Sequence, residues 1–120
     1  MDNHIRFISH ENRQILLVDL TNCSAIEVER VARKVPDVVT AQPPQSVLLL
    51  VDFTGATINP EALRTMKEAA VFDKPYIKKS AWTGADHFPE AYNKELKNFS
   101  RREFPVFSTR EEALTWLVRE

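Results

Sequence analysis

Residues 47–53 read Val-Leu-Leu-Leu-Val-Asp-Phe, and this stretch decides the fold. Five apolar residues run without a polar one between them, so the segment does not alternate as a half-solvated strand would. A short, β-branched, continuously apolar run is the pattern of a central strand covered on both faces, as in parallel α/β sheets. Upstream, Pro43 and Pro44 close whatever precedes it. Downstream, Asn59-Pro60-Glu61 is a strong helix start: an N-cap, a proline in the first turn and an acid near the positive helix end.

Working outward, the remaining elements alternate. Residues 5–9 and 14–20 read as a hairpin of two short strands turning at Asn12 and Arg13. Ser24 with Glu27 is a capping box, and Val28, Val31, Ala32 and Val35 follow the helical period. Pro36 should kink that helix or begin a new turn, with Val38 and Val39 continuing its apolar face. After Pro60, Leu63, Met66, Ala69 and Ala70 make the buried stripe, and Lys74-Pro75 ends it. Residues 76–83 form the next strand. Gly84 and Asp86 turn into a third helix with Phe88, Tyr92, Leu96 and Phe99 on one side. Residues 105–107 are a last strand, and Ser108 with Glu111 caps a terminal helix with Ala113, Leu114 and Leu117 inward. The order β-β-α-β-α-β-α-β-α predicts an α/β fold: a mainly parallel sheet of about five strands with about four helices.

The 120 residues suit one domain, spanning 1–120, with no linker and no internal repeat read along the chain. Sixteen basic and seventeen acidic side chains give a formal charge of −1, which argues against a nucleic-acid partner. The single cysteine, Cys23, excludes an internal disulfide and a multi-thiolate metal site, and points to the cytoplasm. The start Met-Asp-Asn-His carries no signal-peptide pattern, and no apolar run approaches the roughly 20 residues of a membrane span.

Two groups of side chains stand out as candidate sites. Asp52, Thr54 and Thr57 lie at or past the carboxyl end of the central strand, where open α/β sheets bind ligands. The plainer reading is that Asp52 and Thr54 satisfy amides of their own turn. Lys78, Lys79 and Trp82 form a basic-aromatic strand, and Arg101 and Arg102 follow the third helix. Should these meet, they would suit an anionic group, whereas lysines on a strand also simply protect an edge. His4, His10 and His87 have no metal-ligand spacing, and Cys23 has no base beside it in sequence. No Gly-rich phosphate loop, Gly-x-Ser-x-Gly elbow or His-Glu-x-x-His occurs. Nothing here recommends an enzyme, a cofactor or a metal.

Three stretches resemble the SpoIIAA-like proteins. QPPQSVLLLVDFTGAT at 42–57 looks like their proline-then-strand segment. KPYIKKSAWTG at 74–84 resembles their next strand, and FSTREEALTWL at 107–117 their closing helix. The resemblance implies a βα superhelix related to the STAS and Sec14/CRAL-TRIO domains. It also implies a ligand-binding or regulatory role, with an apolar or lipid ligand near Asp52, Thr54, Thr57, Lys78 and Trp82. The alternative it implies is a STAS-like protein-interaction regulator acting as a homodimer. STAS antagonists carry a phosphorylatable serine at the helix start, where INPEAL at 58–63 has neither serine nor threonine. A central strand apolar on both faces also needs a second cover: the first hairpin, a helix or another subunit.

Overall fold

The computed structural model describes residues 3–119. Its element order is β1 (Ile5–His10), β2 (Arg13–Asp19), α1 (Ala25–Val39), β3 (Val47–Asp52), α2 (Pro60–Asp73), a 3-10 turn (Lys74–Tyr76), β4 (Ile77–Thr83), α3 (Glu90–Ser100), β5 (Val106–Phe107) and α4 (Arg110–Val118). The five strands make one sheet in the order β1-β2-β3-β4-β5. Among the described residues, only the β1–β2 pairing is antiparallel. The β2–β3, β3–β4 and β4–β5 pairings are parallel, as the α/β reading requires.

Strand periodicity divides the core in two. Leu16, Val18, Leu49 and Trp82 face one way, into a core shared with Val28 and Val31 of α1, Ala62 and Ala70 of α2, and Leu96 of α3. Ile15, Leu17, Leu48, Leu50 and Ala81 face the other way and pack on Ala113 and Leu117 of α4. Helix α4 is therefore the second cover that β3 demanded, and this face supplies no argument for another subunit.

Local chemistry moves several boundaries. The hairpin turns at Glu11 and Asn12, not at Asn12 and Arg13, because both have positive φ (48° and 65°) as a two-residue turn matching strand twist requires. The Ser24–Glu27 capping box forms, but Pro36 sits inside α1 without ending it. Asn59 caps α2 by accepting the Ala62 amide at 2.8 Å. Helix α4 is capped by Thr109, not Ser108: the Thr109 hydroxyl accepts the Glu112 amide at 3.1 Å. The run Ser-Thr-Arg-Glu-Glu holds both capping patterns one residue apart, and spacing alone does not separate them. Phe99 is 54 % exposed rather than inward, because the buried positions of α3 are Leu96 and Ser100.

The expectation of no internal repeat is also corrected. Residues 15–22 (ILLVDLTN) and 48–55 (LLLVDFTG) are two copies of one strand-and-turn unit, aligned with Asp19 opposite Asp52. The turns stack on each other: Leu20 N–H donates to Asp52 O at 2.8 Å, and Asn22 N–H to Thr54 O at 2.8 Å. The turn after β4 joins the stack through Gly84, where a Cβ would lie 2.5 Å from Thr54 N and 2.7 Å from its Cα, at φ +73°. The backbone of Thr54 leaves no room for a side chain there. Gly84→Ala should therefore destabilise the protein by about 2 kcal/mol or more, from left-handed strain plus the clash. Urea unfolding checks this, and an unchanged midpoint would refute it.

Candidate functional site

The carboxyl ends of β2 and β3 carry the two copies of Asp-x-Thr. Asp52 Oδ1 accepts the Thr54 amide at 3.0 Å and the Thr54 hydroxyl at 2.6 Å. Asp19 Oδ1 accepts the Thr21 amide at 3.1 Å and the Thr21 hydroxyl at 2.6 Å. Arg110, the first residue of α4, reaches both second oxygens: Nε to Asp52 Oδ2 at 2.6 Å and Nη2 to Asp19 Oδ2 at 3.2 Å. Burial would raise the Asp19 carboxyl, but the Thr21 hydrogen bonds and the Arg110 charge outweigh it and hold it below its ordinary value. Burial alone would lower Arg110, but Asp52 and Asp19 raise it. Each oxygen of Asp52 thus has a partner inside the protein, and the strand ends are tied up in their own turns. Thr57 donates its amide to Cys23 O at 2.9 Å and leaves its side chain exposed.

The other candidates lie elsewhere. Trp82 is on the opposite face of the sheet from Asp52, as their registered neighbours require. Its ring meets Phe53 edge-on at 4.8 Å and stacks on Phe104 at 4.9 Å, and Phe53 meets Phe88 at 5.1 Å. On one side of this aromatic series opens a cleft of about 340 Å³ between α2 and α3, lined by Ile58, Leu63, Met66, Trp82, Phe88 and Val106 among others. On the other, beneath α2, lies an apolar space of about 70 Å³ that shares Met66 and Trp82 with the cleft. Lys78 is in neither. It lines a groove of about 620 Å³ with Lys79 and Arg102, so three of the basic residues do meet, while Arg101 and Trp82 do not join them. The sequence-level site therefore divides into a structural clamp, an apolar cleft and a basic groove.

Sequence reasoning missed a buried polar pair. Asp73, on the inward stripe of α2, is 2 % exposed, and its Oδ1 has no hydrogen-bond partner among the described residues. Burial pushes its carboxyl up to about 7, against the pull of the Arg102 charge. Arg102 is buried too, which brings its guanidinium down to about 10 despite Asp73. Arg102 donates to Ala70 O at 3.0 Å and to the Ser80 hydroxyl. The signal was present in part: Ala62, Ala69 and Ala70 set the buried stripe of α2, and Asp73 falls three residues beyond Ala70 on it.

His4, Cys23 and Glu27 also converge, with one donor atom of each within 4.8 Å of the others. The hairpin brings them together, since Asp19 N–H donates to His4 O at 2.7 Å and Cys23 follows in the next turn. Cys23 therefore has a histidine nearby that its sequence neighbours did not reveal. Glu27 already receives the Ser24 amide in the capping box at 3.3 Å, so the trio is explained as helix cap and core edge. His87 Nε2 lies 2.8 Å from Ala56 O. Among the described residues, no helix is long and apolar enough to cross a membrane.

No known family profile and no curated protein matches this chain. Among solved structures it is similar to an uncharacterised protein of the DUF3478 family with a SpoIIAA-like fold, from Shewanella loihica PV-4. The two share 16 % identity over 94 % of this chain and 91 % of that one, with a TM-score of 0.70. At that identity the likeness establishes the fold: this chain has the SpoIIAA-like architecture that its sequence resembles.

Two variants test the polar groups. Arg110→Ala leaves the Asp52 carboxylate buried without its cation and should cost about 3 kcal/mol in urea unfolding, with the Arg110–Asp52 coupling recoverable in a double-mutant cycle. Asp73 keeps its proton in the folded state and loses it in the unfolded state between pH 3.8 and about 7. Folded-state stability therefore falls as pH rises through that window and stays low above it. Asp73→Asn should add stability on the order of 3 kcal/mol at pH 8 and almost none near pH 4, read from melting temperatures across pH. A gain that does not change with pH would refute the assignment.

Proposed function

We propose that this protein is a non-enzymatic binding module for a small, largely apolar molecule, held in the cleft between α2 and α3 against Trp82. One observation carries the reading. The aromatic series Phe88–Phe53–Trp82–Phe104 is flanked by a mainly apolar cleft of about 340 Å³. That volume lies within the usual range for small-ligand sites, about 300–1,000 Å³. Asp86, Glu90 and Asn93 at its margin offer polar contacts that would orient such a ligand. The inner space of about 70 Å³ takes a few methylene groups at most, so a long acyl chain needs α2 and α3 to part. A compact apolar molecule fits without that movement. In this reading the Asp52 and Thr54 end of the sheet is scaffold, and the ligand sits on the other face.

A STAS-like protein-interaction role is the second reading, favoured by Val71 and Phe72, which are exposed at the end of α2. Light scattering at high protein concentration addresses its homodimer form, and a strict monomer would sink it. Either role suits a cytoplasmic protein with one buried thiol.

Trp82 is one of two tryptophans, so a Trp116→Phe background isolates its emission. Titration with the neutral probes 2-naphthol and 1-octanol should change that emission saturably and raise the melting temperature. Met66→Phe, which narrows both the cleft and the inner space without adding an emitter, should weaken the response while the protein stays folded by circular dichroism. No saturable response to either probe, together with no apolar molecule in an organic extract of the purified protein, would refute the proposal.

A further inference from the structure

The groove that holds Lys78 lies at the other end of β4 from the strand-end clamp, and it concentrates charge in a chain whose net charge is only −1. Lys74, Lys78, Lys79, Lys94, Lys97 and Arg102 line it, against the acids Glu90 and Glu103. Three of these cations are already engaged. Lys97 pairs with Glu103 at 3.1 Å. Lys79 donates to the carbonyls of Trp116 and Arg119 and lies over the Trp116 ring at 4.8 Å. Arg102, 8 % exposed, forms the floor with Ser80. The other three, Lys74, Lys78 and Lys94, make no side-chain hydrogen bond or ion pair among the described residues.

The backbone also bends to supply one of them. The β3–β4 register pairs Val47 with Ile77 and then Leu48 with Lys79, so Lys78 is the extra residue of a β-bulge. Successive strand residues point to opposite faces, and a bulge re-aims one of them. Here Lys78 and Lys79 line the same groove. Unpaired ammonium groups gathered round one concavity raise the local concentration of anions, and their mutual repulsion is relieved when an anion binds. Phe104, Pro105 and Trp116 add an apolar wall, and a volume of about 620 Å³ suits a small molecule.

We propose that this groove binds a phosphate-bearing ligand with two or more negative charges. Lys74, Lys78 and Lys94 would contact its phosphate oxygens, and Phe104 and Trp116 would pack on its uncharged part. The inference does not rest on the apolar cleft at Trp82. The phosphate group could belong to a free phosphorylated molecule or to a lipid headgroup, and the two sources separate experimentally.

The test measures the intact protein with inorganic pyrophosphate by calorimetry and thermal shift. In parallel, it is sedimented with phosphatidylcholine vesicles with and without phosphatidic acid. Binding should weaken as salt rises. Lys78→Glu with Lys94→Glu, both exposed and without partners, should weaken binding at least about tenfold at unchanged melting temperature. Pyrophosphate binding assigns the groove to a free ligand, and binding only to phosphatidic-acid vesicles assigns it to a headgroup. The proposal is overturned by no binding in either arm, or by binding that the double charge reversal leaves intact. The same variant should leave the Trp82 response to neutral probes unchanged, so the two readings fail separately.

Discussion

Arg110 ties the last helix to the sheet. It is the first residue of α4, and its guanidinium spans Asp19 and Asp52 at the ends of adjacent parallel strands. Without α4, the residues Ile15, Leu17, Leu48 and Leu50 would face water, and at about 2 kcal/mol for each buried aliphatic side chain no other contact offsets their exposure. Thr109 caps that helix, the clamp anchors its first turn to the strand ends, and Ala113 and Leu117 pack on the sheet. Thr83 reinforces the same end by donating its hydroxyl to Phe107 O at 2.9 Å, which holds the short β5 just ahead of α4.

The repeated Asp-x-Thr turns tie the strand ends to one another and to α4. In many open α/β sheets this end offers free amides and polar side chains to a ligand. Here the carboxylates, hydroxyls and amides of each turn are satisfied within the protein, and the Thr54 backbone approaches Gly84 closely enough that glycine is needed there. The concavities lie elsewhere, where packing is less complete. One is the apolar cleft beside α3, and the other is the basic groove by the Lys78 bulge. Both border α3, which buries Leu96 and Ser100.

Much of this architecture was legible because it follows from local rules. The continuous apolar run at 47–51 required a strand covered on two sides. The capping box at Ser24 and the Asn-Pro-Glu start at 59–61 appear as read, because caps answer to amides a few residues away. The misplacements at Asn12–Arg13 and Ser108 are one-residue slips between equivalent patterns. The outward turn of Phe99 and the burial of Asp73, which no pattern singled out, have a different reason. Helical spacing says which residues share a face, but not how wide the buried stripe is, and neighbouring helices set that width.

The site was far less legible. Asp52, Thr54, Thr57, Lys78 and Trp82 are near one another in sequence, yet strand alternation and the direction of β4 send them to three separate places. His4 approaches Cys23 only because an antiparallel hairpin returns the chain. By itself the sequence determined the alternating elements, the central strand and the caps, since these depend on interactions within a turn or two of chain. Only the tertiary structure decided that α4 is the second cover, that Arg110 joins two aspartates, and that Lys78 and Arg102 share a groove. Arg110 lies 58 and 91 positions from its two aspartates and Lys78 24 from Arg102, and no periodicity or spacing rule encodes which distant side chains will meet.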